Sequence, residues 1–373
     1  MKILYVATIS QTINSFFKPH IKMLVEEGHQ VDIACNDRGL PLDSLYNELG
    51  CNFFQIDFSR SPLSFDNVKA YGQLRQVVEN GGYDIVHCHT PNAATVTRLV
   101  CRKFRKKNNL KVFYTAHGFH FYKGAPLKNW LIYYPVERVC SRFTDVLITM
   151  NREDYALATK KMKAKSTEYV HGVGVDLDRF LSATVDKKSK RLELGIEEDN
   201  VVLISVGELI ARKNHKVILK AVSEIDDKNI HYIVVGKGDL LNDLQSYAQQ
   251  LNISERVHFL GYRKDIPELY KSADICCFPS VHEGLPVALM EAMACGLPIV
   301  CSAIRGNVDL IDEDFGCLVK TNDVSGYASA IKHLKENPQI CKKNGEESIA
   351  NVMNFSTEIV MEEMRSLYEK NTK

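Results

Sequence analysis

The sequence predicts an α/β protein of two Rossmann-like, doubly wound domains facing a ligand cleft. An N-terminal, acceptor-side domain covers residues 1–178 and a C-terminal, donor-binding one covers 199–355. Three observations predict this. At 373 residues the chain is long enough for two domains of ordinary size, each with its own core. Short, continuous apolar runs alternate with longer segments of helical period, the pattern of parallel strands covered on both faces. The alternation stops over about residues 176–200, a polar, lysine-rich connection that includes Gly195, and then restarts.

In the first half, residues 3–7 read as a strand and 16–27 as a helix closed by Gly28. Residues 29–35, 84–88, 111–115 and 145–149 read as further strands with helices between. In the second half, residues 201–206, 230–235, 257–259, 275–278 and 299–301 repeat the theme. After a break at Asn354, Phe355 and Ser356, residues 356–368 read as an amphipathic helix, and the C-terminal segment 356–373 is free to pack back on the first domain.

Composition narrows the function. A net charge of +1 argues against nucleic acid as a partner. The cysteines form no CxxC pair and no metal-ligand spacing, and Cys35, Cys276, Cys277 and Cys301 sit in apolar runs as small hydrophobes, a usage that fits a reducing compartment. His87-Cys88-His89 lacks the further ligands of a zinc site. The chain opens on a strand rather than a leader peptide, and no stretch reaches the ~20 apolar residues of a spanning helix, so the expected location is cytoplasmic. Arg102, Lys103, Arg105, Lys106 and Lys107 form a basic run with two readings, a solvated helix face or attraction to an anionic acceptor or the inner membrane face.

Open parallel sheets bind ligands beyond the C-terminal ends of their strands. There, after the strand at 275–278, a loop carries Glu283, Gly284, Leu285 and Pro286, and Val287 begins a helix that Gly296 ends. The free N–H groups around Gly284, Leu285 and Val287, at a helix start, favour an anion such as a diphosphate. Glu291 lies roughly 7–8 Å along that helix at ~1.5 Å per residue. Glu283 and Glu291 therefore bracket the anion site. As acceptor-only groups they suit sugar hydroxyls, whereas an arbitrary such pair is a loop carboxylate and a solvated helix carboxylate.

This spacing resembles the Glu-x7-Glu motif of retaining, two-domain GT-B glycosyltransferases of the GT4-like family, of the bacterial surface-polysaccharide or exopolysaccharide type. The resemblance runs over the whole chain and is strongest in the second half. It implies that Glu283 orients the donor sugar and Glu291 the ribose. After the strand at 201–206, Gly207 opens a loop in which Lys213 matches the family's diphosphate-binding Lys. Glu208 stands where the family has Arg, Asn214 where it has Gly, and Arg212 is the candidate substitute. The loop at Gly236 corresponds to one near the nucleotide base. Gly261, Tyr262 and Arg263 match positions that border it, the alternative being ordinary strand-end loops. His117, followed by Gly118, resembles the His that reaches the donor sugar and phosphate. Residues 8–17 depart from the family in having no glycine, which assigns Ser10, Phe16 and Phe17 to the acceptor side. Phe16, Phe17, Trp130 and Tyr133 suit either a lipid tail or the core.

The resemblance further implies catalysis by His117, Glu283 and Lys213, retention of configuration, and no cofactor or divalent metal. The expected donor is a nucleotide sugar, UDP-sugars first, carrying a hexose or N-acetylhexosamine. The expected acceptor is a saccharide or lipid-linked saccharide at the inner membrane face. Two alternatives keep the fold: a UDP-sugar epimerase and a non-catalytic nucleotide-sugar binding protein. A dinucleotide oxidoreductase would need Gly-x-Gly-x-x-Gly after the first strand, and residues 7–17 contain no glycine.

Overall fold

The computed structural model describes residues 1–61, 64–107 and 109–372, apart from the side chains of Lys107 and Thr372. It divides into two compact units. Met1–Val173 and the C-terminal segment from Glu358 form the first, and Gly174–Thr357 form the second.

The first unit holds seven strands: β1 (Lys2–Ile9), β2 (Gln30–Asn36), β3 (Phe53–Gln55), β4 (Ile85–His89), β5 (Lys111–Ala116), β6 (Val146–Thr149) and β7 (Ser166–Tyr169). They are all parallel, in the order β3-β2-β1-β4-β5-β6-β7. The second holds β8 (Val201–Val206), β9 (Ile230–Val235), β10 (Val257–Gly261), β11 (Ile275–Phe278), β12 (Ile299–Ser302) and β13 (Cys317–Val319), also parallel, in the order β10-β9-β8-β11-β12-β13. In each sheet the winding reverses once, between β1 and β4 and between β8 and β11. These are the switch points at which doubly wound sheets hold ligands. The two sheets and their covering helices make the two-domain GT-B architecture that the sequence predicts.

The interior strands are the continuous apolar runs of the sequence, and β9 is buried along its whole length. The three strands that the sequence did not disclose, β3, β7 and β13, all lie at sheet edges. They have three or four residues each and are largely half-buried, too short for their apolar residues to stand out as a run.

Two further features differ from expectation. No loop follows β1: a helix, Ser10–Phe16, starts directly from Ile9, and a second, Lys18–Glu26, follows after a break at Phe17. Pro19, in the first turn of the second helix, lacks an N–H and its ring clashes with the preceding turn, which ends the first helix. The polar connection is structured too. Helices Leu177–Leu181 and Lys187–Glu193 are capped by Asp176 and Asp186. Buried Arg191 ties them to the second unit through the carbonyls of Ser272, Glu198 and Asn200 and the Asp274 carboxylate. The division between units accordingly falls at Val173/Gly174, ahead of residue 178. The C-terminal helix Thr357–Thr372 packs back on the first unit, as the sequence allowed, and sends Tyr368 into it, where its hydroxyl meets Tyr5 Oη at 2.9 Å and His87 Nδ1 at 2.6 Å.

Nine of the eleven cysteines are buried and none is in a disulfide. No helix among the described residues is long and apolar enough to cross a membrane.

Candidate active site at the strand ends

In the second unit, the chain leaves β8, β9 and β10 through glycines. Gly207 N–H donates to Val235 O (2.9 Å) and Gly236 N–H to Gly261 O (2.8 Å), so the three turns are laced together. The packing is backbone on backbone. A Cβ on Gly236 would sit 1.8 Å from Gly207 O, and one on Gly238 2.4 Å from Leu209 O. Gly261 has φ +64°, a conformation that side chains disfavour. This close lacing fixes the segment that follows Gly207, including a single 3-10 turn, Ala211–Lys213.

That turn aims two cations at one carboxylate. Lys213 Nζ lies 2.7 Å from Glu283 Oε1, and Arg212 Nη1 lies 2.7 Å from Glu283 Oε2 and 3.0 Å from His282 O. The two loops are also joined by Val281 N–H donating to Arg212 O at 2.9 Å. Lys213 Nζ stands 4.7 Å above the Phe278 ring, a face that favours a cation. Burial alone would raise the Glu283 pKa, but Lys213 and Arg212 outweigh it and hold the carboxyl below its usual range. Two cations and one carboxylate leave a net charge of +1 (2 − 1) beside the start of helix Val287–Ala294.

Buried Arg305, after β12, completes the frame. Its Nε donates to Glu283 O at 3.1 Å and its Nη2 lies 2.6 Å from His282 Nε2. Gly306, with φ +80°, lets its loop approach Gly284, whose carbonyl oxygen would lie 2.3 Å from a Cβ there. The sequence reading missed Arg305. Its only local signal is an Arg-Gly pair just past a strand end.

Pro286 is the N-cap residue of helix Val287–Ala294, whose first N–H groups have no partner within the helix. Tyr270 anchors the helix by donating to Ala288 O at 2.8 Å. The Glu291 carboxylate makes no hydrogen bond or ion pair with the described residues. Burial pushes its carboxyl up to about 7, and only Arg179 opposes the shift. Helix Val287–Ala294 thus places Gly284, Leu285, Pro286 and Val287 at its start, between a Glu283 held ionised by two cations and a Glu291 whose carboxyl burial raises toward neutral pH.

The residues expected against the base fare unequally. Tyr262 is 68% exposed, with Lys237 Nζ 5.8 Å from its ring. Arg263 is engaged elsewhere, by Asp265 (2.7 Å from Nε) and Glu193 (3.0 Å from Nη2). Glu208, at the family's Arg position, is exposed.

In the first unit the strand ends are filled rather than open. His117, after β5, places Nε2 3.2 Å from His89 Nδ1. Around this pair pack Tyr5, Phe17, His20 and His87. The Phe17 and His89 centroids are 4.1 Å apart and those of His87 and His89 4.2 Å apart. Burial lowers the pKa of all four histidines, to about 4 for His20 and His117 and well below the usual value for His87 and His89. The cluster is therefore neutral near neutral pH. His89 Nε2 is buried without a partner. Phe17, expected on the acceptor side, is 1% exposed within these rings, and the Ser10 hydroxyl is spent on Asp37 O (3.2 Å) and Leu40 O (2.6 Å). Phe16 alone of the three is exposed. No group of His, Cys, Asp and Glu among the described residues is arranged to hold a metal.

Known proteins fit both halves. A model of group 1 glycosyl transferases matches residues 186–350, and a glycosyl transferase 4-like model matches residues 2–151. EpsD of Bacillus subtilis (strain 168), whose name assigns it a glycosyltransferase activity, is 36% identical over 373 residues, covering 98% of this chain and 96% of EpsD. The UDP-Gal:alpha-D-GlcNAc-diphosphoundecaprenol alpha-1,3-galactosyltransferase of Escherichia coli is 28% identical over 356 residues, 93% of this chain and 90% of its own. Anabaena HepE, solved in complex with UDP and glucose, matches 99% of this chain and 100% of its own with a TM-score of 0.78. At 18% identity that likeness concerns the fold alone.

Proposed function

The chain belongs to the group 1, GT4-like glycosyltransferases, and from that premise we propose that it transfers a hexose or N-acetylhexosamine from a UDP-sugar to a lipid-linked saccharide at the inner face of the cell membrane, in surface polysaccharide synthesis. The donor nucleotide and the acceptor class follow the Escherichia coli relative, whose name carries UDP-galactose and a diphosphoundecaprenol-linked acceptor.

The observation that carries the proposal is the Arg212–Lys213–Glu283 cluster beside the start of helix Val287–Ala294. Its net positive charge and the helix's free N–H groups suit a diphosphate and the negative charge that grows on it as the sugar departs. Lys213, supported by Arg212, neutralises that charge. The N–H groups at Gly284, Leu285 and Val287 bind phosphate oxygens, and Pro286 shapes the turn. Glu283 and Glu291 accept hydroxyls of sugar and ribose, and Tyr262 lies along the base.

Glu283 is a poor general base, because two cations already stabilise its ionised form. The leaving diphosphate then accepts the proton of the attacking hydroxyl, with retention at the anomeric carbon and no divalent ion. The test is an assay of the purified protein in EDTA with a panel of labelled UDP-sugars and an undecaprenyl diphosphate-linked N-acetylhexosamine, the product's anomeric coupling being read by NMR. One α-linked product from an α-linked donor is expected. Donor consumption without an acceptor-linked product, or an inverted linkage, contradicts the proposal.

A further inference from the structure

Helix Leu127–Cys140 in the first unit is apolar on two sides, one packed on the core and one exposed. A surface helix ordinarily directs its apolar stripe at the core. Here Leu127, Leu131, Ile132, Pro135, Val136 and Val139 form the exposed side, with Leu127 73% and Leu131 68% exposed, and Lys128 is the only charge among them. The other side faces inward, with Trp130, Tyr133 and Tyr134 packed on the core and Glu137 and Cys140 buried. Glu137 makes a two-pronged ion pair with fully buried Arg98 (2.8 and 3.1 Å) and accepts from Tyr114 Oη at 3.2 Å. Removing Glu137 from that pair would strand a buried guanidinium, so the pair fixes which side of the helix faces out.

The exposed side borders a cavity of about 570 Å³ lined by Phe65, Val68, Val96, Leu99, Ile132 and Val136 among others. Phe65 is 90% exposed and Val68 71%. An unpartnered apolar patch of this kind marks an interaction surface. Its surroundings identify the partner. Val96 and Leu99 lie on helix Pro91–Lys107, which contains no acidic residue. At spacings of three and four residues their stripe continues into Arg102, Lys103 and Lys106, all exposed. Arg105, off this stripe, is occupied by Asp145 at 2.7 and 2.6 Å. The surface thus joins a hydrocarbon-like face to a row of cations, Arg102, Lys103 and Lys106, that form no ion pair among the described residues. A symmetric pairing of two copies would set that basic row against itself or its close neighbours.

We propose that this face is a docking surface for an anionic lipid bilayer. The exposed side of helix Leu127–Cys140, with Phe65 and Val68, enters the headgroup–acyl boundary, and Arg102, Lys103, Lys106 and Lys128 meet lipid phosphates. Interfacial helices bind in this way, through buried apolar area plus attraction to anionic lipid. The inference deepens the proposal of a lipid-linked acceptor and rests on it for its purpose, but its geometry lies wholly in the first unit.

The test is flotation of the full-length protein with vesicles of equal phosphatidylglycerol and phosphatidylcholine, and with phosphatidylcholine alone. The protein is expected to float with the anionic vesicles and far less with the neutral ones. Ile132→Ser/Val136→Ser should lower the partition by about tenfold or more, and Arg102→Gln/Lys103→Gln/Lys106→Gln by about tenfold at low salt and less at high salt. Leu131→Ser provides a second apolar variant at a highly exposed position, and circular dichroism together with UDP calorimetry reports whether each variant remains folded. No flotation of the wild type, or unchanged flotation of folded apolar variants, overturns the proposal. Self-association in sedimentation that Ile132→Ser/Val136→Ser abolishes, without vesicle binding, overturns it in favour of a second copy. Because UDP binding is measured separately, a failed flotation with intact UDP binding sinks the docking surface and leaves the donor site standing.

Discussion

The two units share one topology and put opposite chemistry at the same place in it. Each is a parallel sheet whose first three strands wind one way and whose later strands wind the other. At the switch point of the second unit the strands end in glycines, the turns pack backbone on backbone, and two cations hold a carboxylate ionised beside a helix start. At the switch point of the first, β1 runs straight into a helix, and Tyr5, Phe17 and four histidines fill the space as a neutral cluster. Topology supplies the location, and the residues just past each strand decide whether it becomes an anion site or a packed wall.

The contrast can be broken most severely at Lys213. Lys213→Ala should lower kcat/KM for the donor by about 10²–10³. It leaves Glu283 buried with Arg212 as its only side-chain cation. Steady-state kinetics with donor varied checks this, and a change below tenfold would place the chemistry elsewhere. Gly236→Ala comes next. The clash with Gly207 O should destabilise the protein by about 2 kcal/mol or more, read by urea unfolding, and weaken UDP binding in whatever remains folded.

The third effect depends on pH. The Glu291 carboxyl is raised from 4.5 to about 7, so its protonated form is favoured in the folded state. Its contribution to stability is full below about 4.5 and is lost as pH rises through about 7. The ionised form is the stronger acceptor of hydroxyls, so the sign for affinity is reversed. UDP should bind about tenfold more tightly at about pH 8 than at about pH 6, and Glu291→Gln should flatten that dependence in calorimetry. The smallest effect lies in the first unit. Its clustered histidines have lowered pKa values, so they stabilise the fold above about pH 6.5 and lose that contribution as pH falls toward about 4. His89→Phe, which preserves the ring contact with Phe17 and removes a partnerless nitrogen, should narrow the fall in Tm between about pH 7 and about pH 5.

The contrast also explains what the sequence discloses. Glu283, Gly284, Pro286 and Glu291 lie within one strand–loop–helix unit, so their spacing alone carries the geometry, and helix Val287–Ala294 has the predicted bounds. Lys213 is legible because it follows a strand end closely. The histidine cluster draws on Tyr5, Phe17, His20, His87, His89 and His117, with Tyr368 from the far end of the chain, and no local pattern announces that assembly. Arg305 and Arg98 are hidden for the same reason, their partners lying 22 and 39 residues away. Helix Leu127–Cys140 misleads in a further way. Its apolar residues occupy both sides, and no local pattern tells that Trp130 and Tyr133 pack on the core while Leu127, Leu131, Ile132, Val136 and Val139 face outward. The edge strands β3, β7 and β13, three or four residues long, are too short for the apolar run that marks an interior strand.

The most direct test of the central claim, that the second unit's strand ends form a metal-independent nucleoside diphosphate site, is calorimetric titration of UDP in EDTA into the wild type and Lys213→Ala. UDP should bind the wild type without metal, and the substitution should weaken it by about tenfold or more. Equal binding to both proteins, or none to the folded wild type, would contradict the account.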